Sequence, residues 1–173
     1  MQARVFWTTV TADRSDLLGR FLTLLDERGV RWCVVGGVAV NAYVEPVVTL
    51  DLDLTLAADQ AEAIESLLLR MFHAERFAHS LNISDDESDL RIQVQTDPRY
   101  PPFVARATPR EVLGRTMPVA AVEDLLQGKV WAFQDATRRA SKRQKDLADI
   151  ARLIERFPHL RASVPADVLA RLV

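Results

Sequence analysis

Cysteine is almost missing from this chain: Cys33 is the only one in 173 residues, so no internal disulfide can form. It lies in the apolar run Trp32-Cys33-Val34-Val35 and reads as a small buried hydrophobe, not as a nucleophile. Histidine is scarce too, and His73, His79 and His159 are scattered without the spacing of metal ligands, which argues against zinc. No apolar stretch approaches the roughly 18 residues that cross a bilayer. Met1–Trp7 lacks an extended apolar segment followed by a small-residue cleavage site, so a cytoplasmic address is expected. Neither sign of charge dominates: 22 basic against 24 acidic residues leave a net charge of -2, which provides no global attraction to nucleic acid. Internal repeats and low-complexity segments are absent as well.

What is present is a soluble-type composition, 49% hydrophobic and 27% charged, long enough for one sizeable core or for a core with a helical appendage. Leu17, Leu18, Phe21, Leu22, Leu24 and Leu25 form the stripe of an amphipathic helix from Ser15 or Asp16 to Arg28, which Gly29 ends. A strand over Val30–Val35 runs into Gly36-Gly37, followed by a short helix to Tyr43, a loop containing Pro46 and a strand from Asp51 to Leu56. Asp59 reads as the N-cap of a helix reaching Phe72. Leu90, Ile92 and Val94 alternate with Arg91, Gln93 and Gln95, the pattern of a half-buried strand, and Ser84–Asp89 before it reads as a solvated turn. Phe103–Ala107 and Thr116–Val119 are expected as short strands. Helices then follow over Ala121–Asp135 and Ser141–Phe157, with a further short one after Pro165. The order predicts an α+β fold, a mixed sheet backed by helices, with a core over 1–118 and a C-terminal helical segment over 119–173.

The chemistry concentrates between Gly36 and Leu54. In Thr49-Leu50-Asp51-Leu52-Asp53-Leu54 the strand period of two places Asp51 and Asp53 on one face and the leucines on the other. Adjacent carboxylates repel unless a cation lies between them, and an oxygen-rich pair suits a hard divalent ion, Mg²⁺ or Mn²⁺. Glycines before a helix let the backbone approach a ligand closely, and the helix N-terminus favours phosphate. Each feature also has a plainer reading: Gly-Gly as a tight strand-to-helix turn, Asp-x-Asp as a solvated strand edge. Asn41 reaches the same cleft or serves as an ordinary capping residue. From Lys129 to Arg156 basic residues outnumber acidic ones, either a solvated helix face or phosphate contacts, though without the aromatic interleaving of single-strand binders.

An apolar strand, Gly36-Gly37, a short helix and then Asp51-Leu52-Asp53-Leu54 resembles the signature of the DNA polymerase β-like nucleotidyltransferase superfamily. That resemblance implies Mg²⁺-dependent transfer of a nucleoside monophosphate from a nucleoside triphosphate to an acceptor hydroxyl. Asp51 and Asp53 would be catalytic metal ligands, and Gly36 and Gly37 would contact the triphosphate. Further on, Gly128-Lys129-Val130-Trp131-Ala132, Arg138-Arg139 and Lys145-Asp146-Leu147-Ala148-Asp149-Ile150 resemble the AbiEii-like toxin group. There the lysine contacts triphosphate and the first aspartate belongs to the active site, roles that carry over to Lys129 and Asp146. The plainer reading is a surface lysine and helix ion pairs, Asp146 with Lys142 or Lys145 with Asp149.

Two positions depart from the pattern. Gln93 stands where the superfamily commonly has a third carboxylate, and an amide cannot act as a base. Val47 stands where related sequences often carry arginine. The implied acceptor is RNA (a tRNA end included), a protein or a small molecule, and the implied partner is the other half of a toxin-antitoxin pair. The alternative is a catalytically impaired nucleotide-binding or protein-interaction module of the same fold.

Overall fold

The computed structural model describes residues 12–173, so Met1–Trp7, read above for targeting signals, lies outside the described residues. Helix α1 spans Leu17–Glu27. Asp16 is its N-cap residue, in keeping with the expected start, but the Asp16 side chain makes no capping bond; the first free N–H groups are held by Asp13, whose Oδ1 and Oδ2 accept from Leu17 N at 2.8 Å and Leu18 N at 3.3 Å. It stops at a left-handed Gly29, where Gly29 N donates to Asp26 O and Val30 N reaches back to Leu25 O. Strand β1 (Trp32–Val35) and helix α2 (Gly36–Val40) follow, then β2 (Asp51–Leu56) and α3 (Ala58–Met71). Ala57 occupies the N-cap of α3, and Asp59 sits in its first turn, where its charge favours the helix and pairs with Arg31.

A meander comes next: β3 (His73–Arg76), β4 (Ser80–Asp85) and β5 (Ser88–Gln95), with only Asp86 and Glu87 in the turn between the last two. The expected acidic loop therefore lies partly within strands. Leu81 and Ile83, both fully buried, carry the alternation that marks β4. Phe103 is not in a strand but in a 3-10 helix, Pro101–Arg106, because Pro101 and Pro102 lack ladder donors and pre-set φ for its first turn. Strands β6 (Thr108–Val112) and β7 (Arg115–Val119) form a hairpin whose turn residues, Leu113 and Gly114, both have positive φ. The C-terminal part holds α4 (Val122–Gln134), α5 (Ala140–Arg156), a 3-10 helix over Pro158–Ser163 and α6 (Ala166–Leu169).

The seven strands form one sheet, β3-β4-β5-β2-β1-β7-β6, with β2 parallel to β5, β1 parallel to β7 and the remaining pairs antiparallel. This is the mixed α+β sheet that the element order predicts. Leu52, Leu54, Ile92 and Val94 point into a core shared with Leu17, Phe21 and Leu25 of α1. A second apolar cluster joins Val40 of α2 to Leu126, Val130, Phe133, Ile150, Leu153 and Ile154 of α4 and α5. Through Val40 the C-terminal helices are anchored on the turn that follows β1, which brings their charged faces to the open side of β2.

Candidate active site

Strand β2 pairs with β1 so that Val35 lies opposite Asp53, and the chain turns into α2 at the next residue. Gly36 makes that turn with φ +71°. A Cβ there would lie 2.3 Å from Asp53 Oδ2 and 2.9 Å from Asp53 Cβ, so only glycine lets the carboxylate pack against the turn. Gly37 is unconstrained by comparison, since its nearest outside neighbour would be Asp149 Oδ2 at 3.9 Å. Asp53 Oδ1 is buried and has no hydrogen-bond partner among the described residues. Burial pushes this carboxyl up to about 7, with Asp51 adding to the rise and Lys129, Arg138 and Lys142 opposing it.

Asp51 shares the face of Asp53 but meets cations. Arg91 Nε, in register on β5, lies 2.8 Å from its Oδ1 without the alignment of a hydrogen bond, and Lys142 Nζ donates to Oδ2 at 3.2 Å. Gln93 is in register with Asp53, so the neutral amide does occupy the strand position beside the acid pair. Asp89 is exposed at the start of the same strand.

Helices α4 and α5 add a buried charge network. Lys129 Nζ sits 2.8 Å from Asp149 Oδ2 and 3.2 Å from Asp146 Oδ1. Burial alone would lower the lysine's proton affinity, but the two carboxylates outweigh it and hold the ammonium above its usual range. Asp146, almost fully buried, also accepts from Arg138 Nε at 2.7 Å. Asp149 continues through Arg152 Nη1 at 2.6 Å, and Arg152 Nη2 donates to Asn41 Oδ1 at 3.1 Å. Asn41 in turn clasps Val47 through both backbone groups. The helix pairs expected for Asp146 with Lys142 and Lys145 with Asp149 do not form: Asp146 meets Lys129 and Arg138, Asp149 meets Lys129 and Arg152, Lys142 reaches Asp51, and Lys145 stays exposed to solvent. Asn41 is a loop clasp.

Gly36, Asp53, Gln93, Lys129, Arg138 and Asp146 line one cleft of about 540 Å³. One wall is aromatic: Phe103 and Trp131 stack with centroids 5.8 Å apart, Tyr100 meets both edge-on, and the Arg99 guanidinium lies 4.5 Å from the Trp131 centroid. Acid, amide, cation and aromatic groups around one cavity suit a polyanionic ligand bearing a ring.

Residues 20–172 match the family model described as "Nucleotidyl transferase AbiEii toxin, Type IV TA system". The chain belongs to the AbiEii family. As a member it is a nucleotidyltransferase, and its α+β sheet is shared by solved structures. ANT(2″)-Ia in complex with adenylyl-2″-tobramycin has a TM-score of 0.56 at 17% identity, over 90% of this chain and 96% of that one. The lincosamide antibiotic adenylyltransferase LnuA, lincomycin-bound, has a TM-score of 0.51 at 13% identity, over 79% and 95%. An antigenic nucleotidyltransferase-like protein from Paracoccidioides brasiliensis has a TM-score of 0.54 at 20% identity, over 86% and 75%. At these identities the likeness concerns the fold. No curated protein sequence matches the chain significantly.

In this AbiEii member the cleft unites Gly36, Asp53, Lys129 and Asp146, whereas Asp51, paired with Lys142, and Gly37, nearest to Asp149, are not among the residues that line it. Sequence reasoning did not assign Asp149 and Arg152 to this network, although the i, i+3 spacing of Asp146 and Asp149 was a readable sign that both face one way. It also missed the aromatic wall, which Tyr100, Phe103 and Trp131 assemble from segments that carry no common motif.

Proposed function

We propose that this chain transfers a nucleoside monophosphate from a nucleoside triphosphate to an acceptor hydroxyl, with Asp51 and Asp53 holding a divalent cation, Mg²⁺ or Mn²⁺. The observation that carries this reading is the Asp53 carboxylate, buried against Gly36 with Oδ1 unpartnered. A buried acid without a partner is costly unless a cation joins it. Mg²⁺ binds through one or two carboxylates together with substrate phosphates, so a site of two acids is sufficient. No cluster of three or more His, Cys, Asp or Glu side chains is needed, and none occurs among the described residues. When bound, the cation supplies charge stabilisation at the transferring phosphoryl group.

The protein's own residues supply the rest. Backbone N–H groups of Gly36 and Gly37, at the start of α2, face phosphate oxygens. Lys129 neutralises triphosphate charge, and Asp146 keeps Lys129 and Arg138 aimed into the cleft. The Gln93 amide positions ligands but takes no proton. Phosphoryl transfer through a loose transition state relies on positioning and charge more than on a strong base. For the acceptor, the exposed cations Arg139 at the N-cap of α5 and Lys145 on it, without ion-pair partners among the described residues, and the half-free Arg91 favour RNA, a tRNA end included, over a neutral small molecule. The cellular partner would be the antitoxin of the pair.

The test incubates the protein with each labelled nucleoside triphosphate, Mg²⁺ and, separately, total RNA, cell protein or an aminoglycoside. Label should enter RNA and disappear with Asp53→Asn. Mg²⁺-dependent nucleotide binding without transfer to any acceptor supports the second reading, a binding module, which Gln93 favours. Absence of both refutes the site.

A further inference from the structure

Asp51 and Asp53 are served unequally. Asp51 faces Lys142 Nζ at 3.2 Å on one oxygen and Arg91 Nε at 2.8 Å on the other, whereas Asp53 Oδ1 has no partner. A divalent ion shared by the two acids would need an Asp51 oxygen and would put two further positive charges beside the ammonium. The ion and the Lys142 ammonium would compete for the same carboxylate.

Lys142 is also less firmly held than Lys129 or Arg138. Lys129 is gripped by two carboxylates and is 12% exposed, and Arg138 holds Asp146 through two nitrogens. The Lys142 side chain is 30% exposed, and Asp51 is its one side-chain partner among the described residues. Its ammonium is a point charge on a flexible four-carbon stem, suited to moving between anions. From the first turn of α5 it borders the same acid pair that a triphosphate would approach.

We infer that Lys142 is a movable counterion, neutralising Asp51 in the metal-free enzyme and turning onto the triphosphate when metal and nucleotide arrive together. The inference rests on the nucleotidyl-transfer reading above and adds a residue that the AbiEii pattern leaves unassigned. It makes the metal a poor ligand by itself and a good one in company with the nucleotide, because only the nucleotide offers Lys142 another anion.

The experiment measures Mn²⁺ binding to the full chain by electron paramagnetic resonance, first alone and then with each α,β-methylene ribonucleoside triphosphate. Lys142→Gln should bind Mn²⁺ alone about tenfold more tightly and the Mn²⁺–triphosphate about tenfold more weakly, as loss of one charge contact predicts. Lys142→Arg should retain triphosphate binding, and Lys142→Met should repeat the glutamine result if that variant folds poorly. Opposite shifts cannot arise from general loss of structure. Equal constants for variant and wild type, or both affinities falling together, overturn the inference and leave the nucleotidyl-transfer reading standing. Tighter metal without weaker triphosphate overturns the phosphate half. Wild-type protein that takes neither Mn²⁺ nor triphosphate overturns the underlying reading, and this inference with it.

Discussion

Replacing Gly36 by alanine tests the most crowded point of the molecule. The backbone there has φ +71°, a region that costs an L-residue about 1–2 kcal/mol. The new methyl would sit 2.3 Å from Asp53 Oδ2, 2.9 Å from Asp53 Cβ and 3.0 Å from Asp53 Cγ. A flexible side chain could swing away, but Cβ belongs to a central strand with neighbours on both sides, so β2 itself or the turn must move. Overpacking of this kind costs about 1–3 kcal/mol. Together the two effects reach about 2–5 kcal/mol, a large part of the stability of an ordinary domain. For a chain of this size that lowers the melting temperature by about 5–15 °C. Gly37→Ala provides the internal control, because its methyl would meet only Asp149 Oδ2 at 3.9 Å, and the change should stay within about 0.5 kcal/mol. Urea unfolding followed by circular dichroism measures both, and Mn²⁺ titration reports whether Asp53 has been displaced. If the two variants melt together, the close approach of Gly36 to Asp53 is not what holds this turn.

The raised pKa of Asp53 gives a pH dependence with a definite sign. Because the folded value, about 7, lies above the ordinary 3.8, the protonated carboxyl stabilises the metal-free fold at low pH, and that contribution is lost as pH rises through about 7. Asp53→Asn should therefore be more stable than wild type at pH 8 without metal, the gap narrowing toward pH 5; thermal melts at the two pH values decide, and an unchanging gap contradicts the assignment. Asp146→Asn leaves Lys129 with one carboxylate and Arg138 with none, and should cost about 2–3 kcal/mol, a figure reduced because Arg138 is 37% exposed. Adding Lys129→Met to it should destabilise by less than the sum of the two single changes, and strict additivity would show that the pair is not coupled. Cys33 is fully buried and its thiol is pushed up to about 12 chiefly by burial, so Ellman's reagent should react only at the rate of unfolding.

Local pattern was enough to read the part of this protein that depends on neighbours in sequence. The alternation through Asp51-Leu52-Asp53-Leu54 places both acids on one face, since a strand leaves no other choice, and the same parity puts Gln93 beside Asp53. The stripes of α1, α4 and α5 follow from helical spacing, and β7 falls within a residue of its expected start. Errors arose where several local signals compete: Pro101 and Pro102 turned an apolar segment into a 3-10 helix, and Asp85, Ser88 and Asp89, polar enough for a loop, lie in paired strands because the neighbouring residues Ile83 and Leu90 are buried.

Tertiary structure alone decided which charges meet. Lys142 and Asp51 are 91 residues apart, Arg152 and Asn41 are 111 apart, and Lys129 reaches across from α4 to two acids on α5. Sequence spacing predicted helix pairs for those same aspartates, yet Lys142 reaches Asp51 on β2 and the aspartates meet Lys129, because which carboxylate a long cationic side chain can reach depends on how α4 and α5 dock through Val40. Periodicity determines the face on which a side chain emerges; only the packing of elements determines what it finds there.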